Sequence, residues 1–363
     1  MTTDSKIIRA MLIRISEFFC YMSDSEEQRL YYVLPIQHNF PYAYQHSSIR
    51  DVATTCDILD LVQFFKEKEL PLPPDSLILF EKVTRNTLHA YYNLYQGAEL
   101  PNLPEGNIGD IGFFLLALQK CFSVYPSQLP DNWKETKIRL TKYLLERQNS
   151  DGSLRIFFDD TLKYDEKSAE AFYLPEALIG LITSLGSNTK EIDDQVVTQV
   201  QKAIIYCCQD KNRKWHLATE SATFYANWQF QLFYRWVQKD LGDEKIHFSV
   251  TNHLEKLVNA LKESRMAREP FGHAVATVEV ACYLEGLVHA KYTLEKLYAS
   301  TRIHDEWFDK EINRALLFLY ELQSANLNTI HGGFVHSLGS HEARIDVAGH
   351  VFSGLSLLYS YFK

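Results

Sequence analysis

The sequence predicts an all-α fold: six helical hairpins closed into a two-layered ring, one domain spanning residues 1–363. Three observations predict it. Apolar residues recur at helical spacing throughout, prolines and glycines fall between the periodic segments, and no convincing alternating strand occurs. Two kinds of helix alternate, one amphipathic and charged, the other apolar on nearly every face. The apolar helices also repeat: Asp51 and Asp346 open two of them 295 residues apart, which over five intervals is about 59 residues per hairpin.

The elements follow in order. The amphipathic segments are residues 7–22, 80–95, 137–148, 196–209, 251–264 and 311–323. Each precedes an apolar one, at 51–65, 110–122, 173–185, 224–236, 279–292 and 346–362. An amphipathic helix faces water and an all-round apolar helix is buried, so the first set forms the outer layer and the second the inner. An open stack would need polar capping repeats at its ends. None is evident, so the last inner helix is expected to close against the first. The Pro-rich stretch 70–77 and the stretch 185–194 read as loops between repeats.

Gln148 with Gly152, Gln209 with Trp215, and Gln323 with Gly333 and Phe334 follow three of the outer helices. With the six hairpins, these make the whole chain resemble the alpha/alpha toroids: six-hairpin glycosidases, sugar epimerases on the same barrel, and terpenoid cyclases and prenyltransferases. The cyclases repeat a Gln…Gly…aromatic turn, which these residues match in degenerate form. The resemblance implies a central cavity lined by the inner helices. It leaves the reaction open, because such folds host unrelated chemistries.

Composition narrows the partners. A net charge of −9 without a dense Lys/Arg run disfavours nucleic acid. The N-terminal segment alternates charged and apolar residues, unlike a signal peptide, and no apolar run is of membrane-spanning length. The six cysteines lack metal or disulfide spacing and read as buried thiols in a reducing cytoplasm. The 21 tyrosines suit both helix packing and sugar-like ligands.

The catalytic candidates are carboxylates and one histidine. Asp51, Asp110, Glu279 and Asp346 open inner helices, where an acid either caps the helix or points into the cavity. Asp51 and Asp346 should be neighbours across the ring closure, and paired carboxylates can divide into acid and base. His350 lies four residues after Asp346, a spacing that suits an oriented base. Glu176 and Glu285 are acids inside apolar helices and need a partner or a wet cavity. Asp51, Asp346, His350 and Glu176 are therefore the expected catalytic set. Arg50, Asp110, Tyr173, Tyr225, Asn227, Gln229, Glu279, Glu285, Phe334 and Arg344 are the expected substrate-binding set, with Arg50 and Arg344 also possible ion-pair partners of the acids beside them.

No metal or cofactor is expected. His331, His336 and His341 are five apart, not at the spacing of one helical face. The acids Asp159, Asp160, Asp165 and Glu166 read as a solvated loop, and no phosphate loop, dinucleotide fingerprint or nucleophile elbow occurs. The expected function is a carbohydrate-active enzyme, a glycoside hydrolase or a sugar epimerase, acting on a small-molecule or oligosaccharide substrate. A cyclase-like enzyme would instead need an apolar aromatic cavity, and a non-catalytic interaction module a plugged one.

Overall fold

The computed structural model describes residues 5–35, 48–96, 106–159, 166–186, 189–209, 222–272, 275–298, 306–325 and 331–361. Trp215, Asp160 and Asp165 lie outside them, as does the side chain of Glu166. Among the described residues, twelve long helices alternate between layers. The outer ones are α1 (Ser5–Tyr21), α3 (Ser76–Leu94), α5 (Trp133–Glu146), α7 (Lys190–Cys207), α9 (Glu244–Glu263) and α11 (Glu306–Ala325). The inner ones are α2 (Ser48–Glu67), α4 (Ile108–Val124), α6 (Glu166–Ser184), α8 (Ala222–Gln238), α10 (Thr277–Leu297) and α12 (Ile345–Tyr361).

Sequence dictates the layering. In α1 the buried positions Ile8, Met11, Leu12, Ile15, Phe18 and Phe19 form one stripe at helical spacing. In α10 nearly every residue from Thr277 to Leu294 is buried. The inner helices pack in sequence, α2 to α4 to α6 to α8 to α10 to α12, and α12 returns to α2. The fold is thus an alpha/alpha toroid. α1 packs against α12 at the closure. There β1 (Val33–Pro35) and β2 (Glu342–Arg344) form a short antiparallel ribbon, pairing Val33 with Arg344.

Two of the Gln–Gly turns do the same work. Gln148 Nε2 donates to the Gln199 carbonyl at 2.9 Å, and Gly152 (φ +98°) lies on the backbone of Lys202 in α7. Gln323 Nε2 donates to the Gly332 carbonyl at 2.6 Å, and it is Gly332 (φ +85°), not the expected Gly333, that lies on Arg14 in α1. Both glycines adopt left-handed backbone and leave no room for a Cβ, so each turn staples its outer helix to the next.

Candidate active site

All six inner helices line a central cavity of about 450 Å³, within the range of small-ligand sites. Its walls differ in character. Phe113 of α4, Phe172 and Tyr173 of α6, and Phe224 and Trp228 of α8 make an aromatic side. Asp57 and Asp60 of α2, Cys282 and Glu285 of α10, and Asp346, His350 and Ser353 of α12 make a polar side. Glu176 enters from α6, Lys120 from α4, Gln231 and Arg235 from α8, and Arg50 and Arg344 from the closure.

His350 is the hub. Its Nδ1 lies 2.8 Å from Oε2 of the buried Glu285, which also accepts from Asn227 Nδ2 at 2.9 Å. Its ring meets Trp228 edge to face at 6.3 Å. Burial opposes an imidazolium here, but Cys282 and Glu285 outweigh it and raise the His350 pKa well above the usual value. Burial likewise opposes a charged Glu285, and the His350 charge and hydrogen bond hold that carboxyl below its usual range. Each group thus favours the charged form of the other.

Two other carboxyls behave oppositely. Burial pushes Asp57 up to about 7, with Lys120 and His350 opposing the rise. Burial raises Glu176 well above the usual value, Asp110 adds to the rise, and His350 opposes it. The His350 charge therefore acts on both acids. Glycines make the room they need. A Cβ at Gly349, the residue before His350, would overlap the Asp57 carboxylate, and one at Gly109 would overlap that of Glu176. Gly112 and Gly180 bring α4 and α6 into backbone contact beside Glu176.

Asp346 has a different task. Arg344 Nε donates to Oδ1 at 3.0 Å and Nη2 to Oδ2, the Tyr32 hydroxyl donates to Oδ2 at 2.7 Å, and the Val347 amide donates to Oδ1 at 2.9 Å. Burial opposes its charge, but Arg344 and Tyr32 hold its pKa low. With both oxygens occupied it is a poor base, and it ties the chain before β1 to α12. It does not orient His350, whose partner is Glu285 rather than the residue four before it.

Of the residues singled out in the sequence, the fold brings Glu176, Asp346, His350, Arg50, Tyr173, Glu285 and Arg344 to the cavity wall. Others point elsewhere. Asp51 lies off the wall, because the inward face of α2 runs through Arg50, Ala53, Thr54, Asp57 and Asp60, and Asp51 is a third of a turn away. Asp110 forms a capping box with Asn107 at the start of α4. Glu279 is buried in an ion pair with Arg265 at 2.7 Å. Tyr225, Asn227 and Gln229 lie off the α8 face that carries Phe224, Trp228, Gln231 and Arg235; Asn227 reaches the site only through Glu285, and Gln229 bonds Cys207 of α7. Phe334 is fully buried core. His331 stacks on Tyr21 at 3.7 Å, His336 lies 3.3 Å from Arg344, and His341 is exposed. Among the described residues no cluster of His, Cys, Asp or Glu is placed to hold a metal ion, and no helix is long and apolar enough to cross a membrane.

The reading from sequence missed Asp57, Asp60, Lys120 and Arg235. The signal was present: each is a charge inside an otherwise apolar inner helix, the criterion that picked out Glu176 and Glu285.

Solved structures share this architecture. The unsaturated glucuronyl hydrolase of Bacillus sp. GL1, responsible for the degradation of glycosaminoglycan, superposes with a TM-score of 0.59 at 11% identity, covering 99% of this chain and 97% of that one. A D-mannose isomerase superposes with a TM-score of 0.65 at 10% identity, covering 99% of this chain and 100% of that one. At such identity the likeness carries the fold. No protein-family model and no curated protein sequence matches the chain.

Proposed function

We propose that this protein is a carbohydrate-active enzyme, a hydrolase or isomerase working by acid–base catalysis in the central cavity. The observation that carries this reading is the convergence of Asp57, Glu176 and His350 on one cavity that also has aromatic walls. Hydrolysis of a glycosidic bond and isomerisation of a sugar both need a proton donor and a proton acceptor on one substrate. Burial favours the protonated form of Glu176, which supplies the donor. Asp57 titrates near neutrality and supplies the acceptor. His350, held by Glu285, supplies positive charge that acts on both. Trp228, Tyr173 and the phenylalanines offer flat apolar faces to a sugar ring, and the polar wall meets its hydroxyls.

That the solved toroids include a glucuronyl hydrolase and a mannose isomerase supports a sugar as substrate. A cyclase-like reading fits less well, because five carboxylates line the cavity. A plugged interaction module fits less well still, because the axis is open. Six free thiols support a reducing, cytoplasmic setting. The test is incubation with a panel of reducing monosaccharides and disaccharides in D2O, with products followed by proton NMR. Turnover of at least one sugar, absent in His350→Asn, is expected. Absence of turnover across the panel would count against the proposal.

A further inference from the structure

We propose that the ligand of the central cavity carries an oxyanion, a carboxylate or a phosphate on the sugar, and that Arg235 receives it. This rests on the sugar reading for the body of the ligand but not for its charge.

The cavity's other internal cations are matched. Lys120 is paired with Asp60, and Arg344 with Asp346. His350 is bonded to Glu285. Arg50 is exposed at the closure and lies over the Tyr32 ring at 4.4 Å. Arg235 differs. It lies in the last turn of α8, half-buried, and lines the cavity. Among the described residues its guanidinium has no hydrogen bond and no ion pair.

A guanidinium is charged at any working pH and offers five donors in a planar fork. Holding one in a cavity without an anion leaves a desolvation cost unanswered. The protein has 46 acidic residues to 37 basic ones, so a spare carboxylate was not scarce. The fork matches a carboxylate or a phosphate in bidentate fashion. Its place on α8 adds direction. Trp228, Gln231 and Arg235 lie at i, i+3 and i+7 and share one face. A sugar ring against Trp228 would turn its charged substituent along α8 toward Arg235.

The experiment is isothermal titration of the intact protein with D-glucose, D-glucuronate, D-glucose 6-phosphate and inorganic phosphate, repeated with Arg235→Gln and Arg235→Lys. Melting curves without ligand establish that the variants fold. We expect one of the two charged sugars to bind about tenfold or more tightly than glucose, as one charge-assisted hydrogen-bonded contact allows. The advantage should vanish in Arg235→Gln and survive in part in Arg235→Lys, which also serves should the glutamine variant not fold. Which charged sugar wins decides between carboxylate and phosphate. Glucose binding as tightly as both would overturn the proposal and leave the sugar reading standing, and so would an advantage that persists in Arg235→Gln. Inorganic phosphate bound through Arg235 with no gain from a sugar ring would support the oxyanion site and sink the sugar reading. Absence of binding by any anion would overturn the proposal.

Discussion

His350 Nδ1 lies 2.8 Å from Oε2 of Glu285, joining the last inner helix to its neighbour through a hydrogen bond between opposite charges. Both residues line the cavity, so one contact ties α10 to α12 and biases the charge of the site.

Replacing Glu285 by Gln should therefore act on His350. Its pKa should fall toward the ordinary histidine value, read by NMR titration of the ring. Turnover should drop about 100-fold, the low end for losing a preorganised electrostatic contact. Unchanged turnover with a displaced His350 pKa would show that the charge is not used.

The pair also makes stability depend on pH. His350 has a folded pKa above its unfolded one, so its contribution is complete below pH about 6.5 and fades as pH rises through the folded value. Glu285 has a folded pKa below its unfolded one, so its contribution is complete above pH about 4.3 and fades as pH falls through the folded value. Both are complete between those limits. In urea unfolding, the advantage of wild type over Glu285→Gln/His350→Gln should peak there and shrink on either side.

Gly349→Ala tests the room made for Asp57. Alanine is the better helix former by about 1 kcal/mol, yet its methyl would meet the Asp57 carboxylate. The substitution should lower the melting temperature and activity together. Adding Asp57→Ala should restore the melting temperature but not the activity, a coupling that a double-mutant cycle measures.

Asp346→Asn should be chiefly a stability variant. It weakens the Arg344 pair and the Tyr32 contact at the ring closure, a loss of about 1–3 kcal/mol. Tyr32→Phe should cost less, about 1 kcal/mol. Denaturant unfolding reads both. An Asp346→Asn protein of wild-type stability without activity would return Asp346 to the chemistry.

The ring was legible because helical period and the repeat are local properties of the chain. Which acid faces inward was not. Asp51 and Asp57 stand on one helix, and their difference in direction depends on how α2 is rotated against α4 and α12. Charge inside an apolar helix was the better guide, and it finds Asp57, Asp60, Lys120 and Arg235 when applied to every inner helix. Asp346 beside Arg344 looked like a site residue with an ion-pair partner, and the hydroxyl of Tyr32, more than 300 residues away in sequence, makes it a clamp.

The most direct measurement is the pH dependence of kcat/KM for wild type and Asp57→Asn on whichever sugar the protein turns over. Asp57 as the proton acceptor predicts an acid limb, activity falling as pH drops through about 7, and loss of that limb with most of the activity in Asp57→Asn. A wild-type profile flat through pH 7, or a limb that persists unchanged in Asp57→Asn, would contradict it.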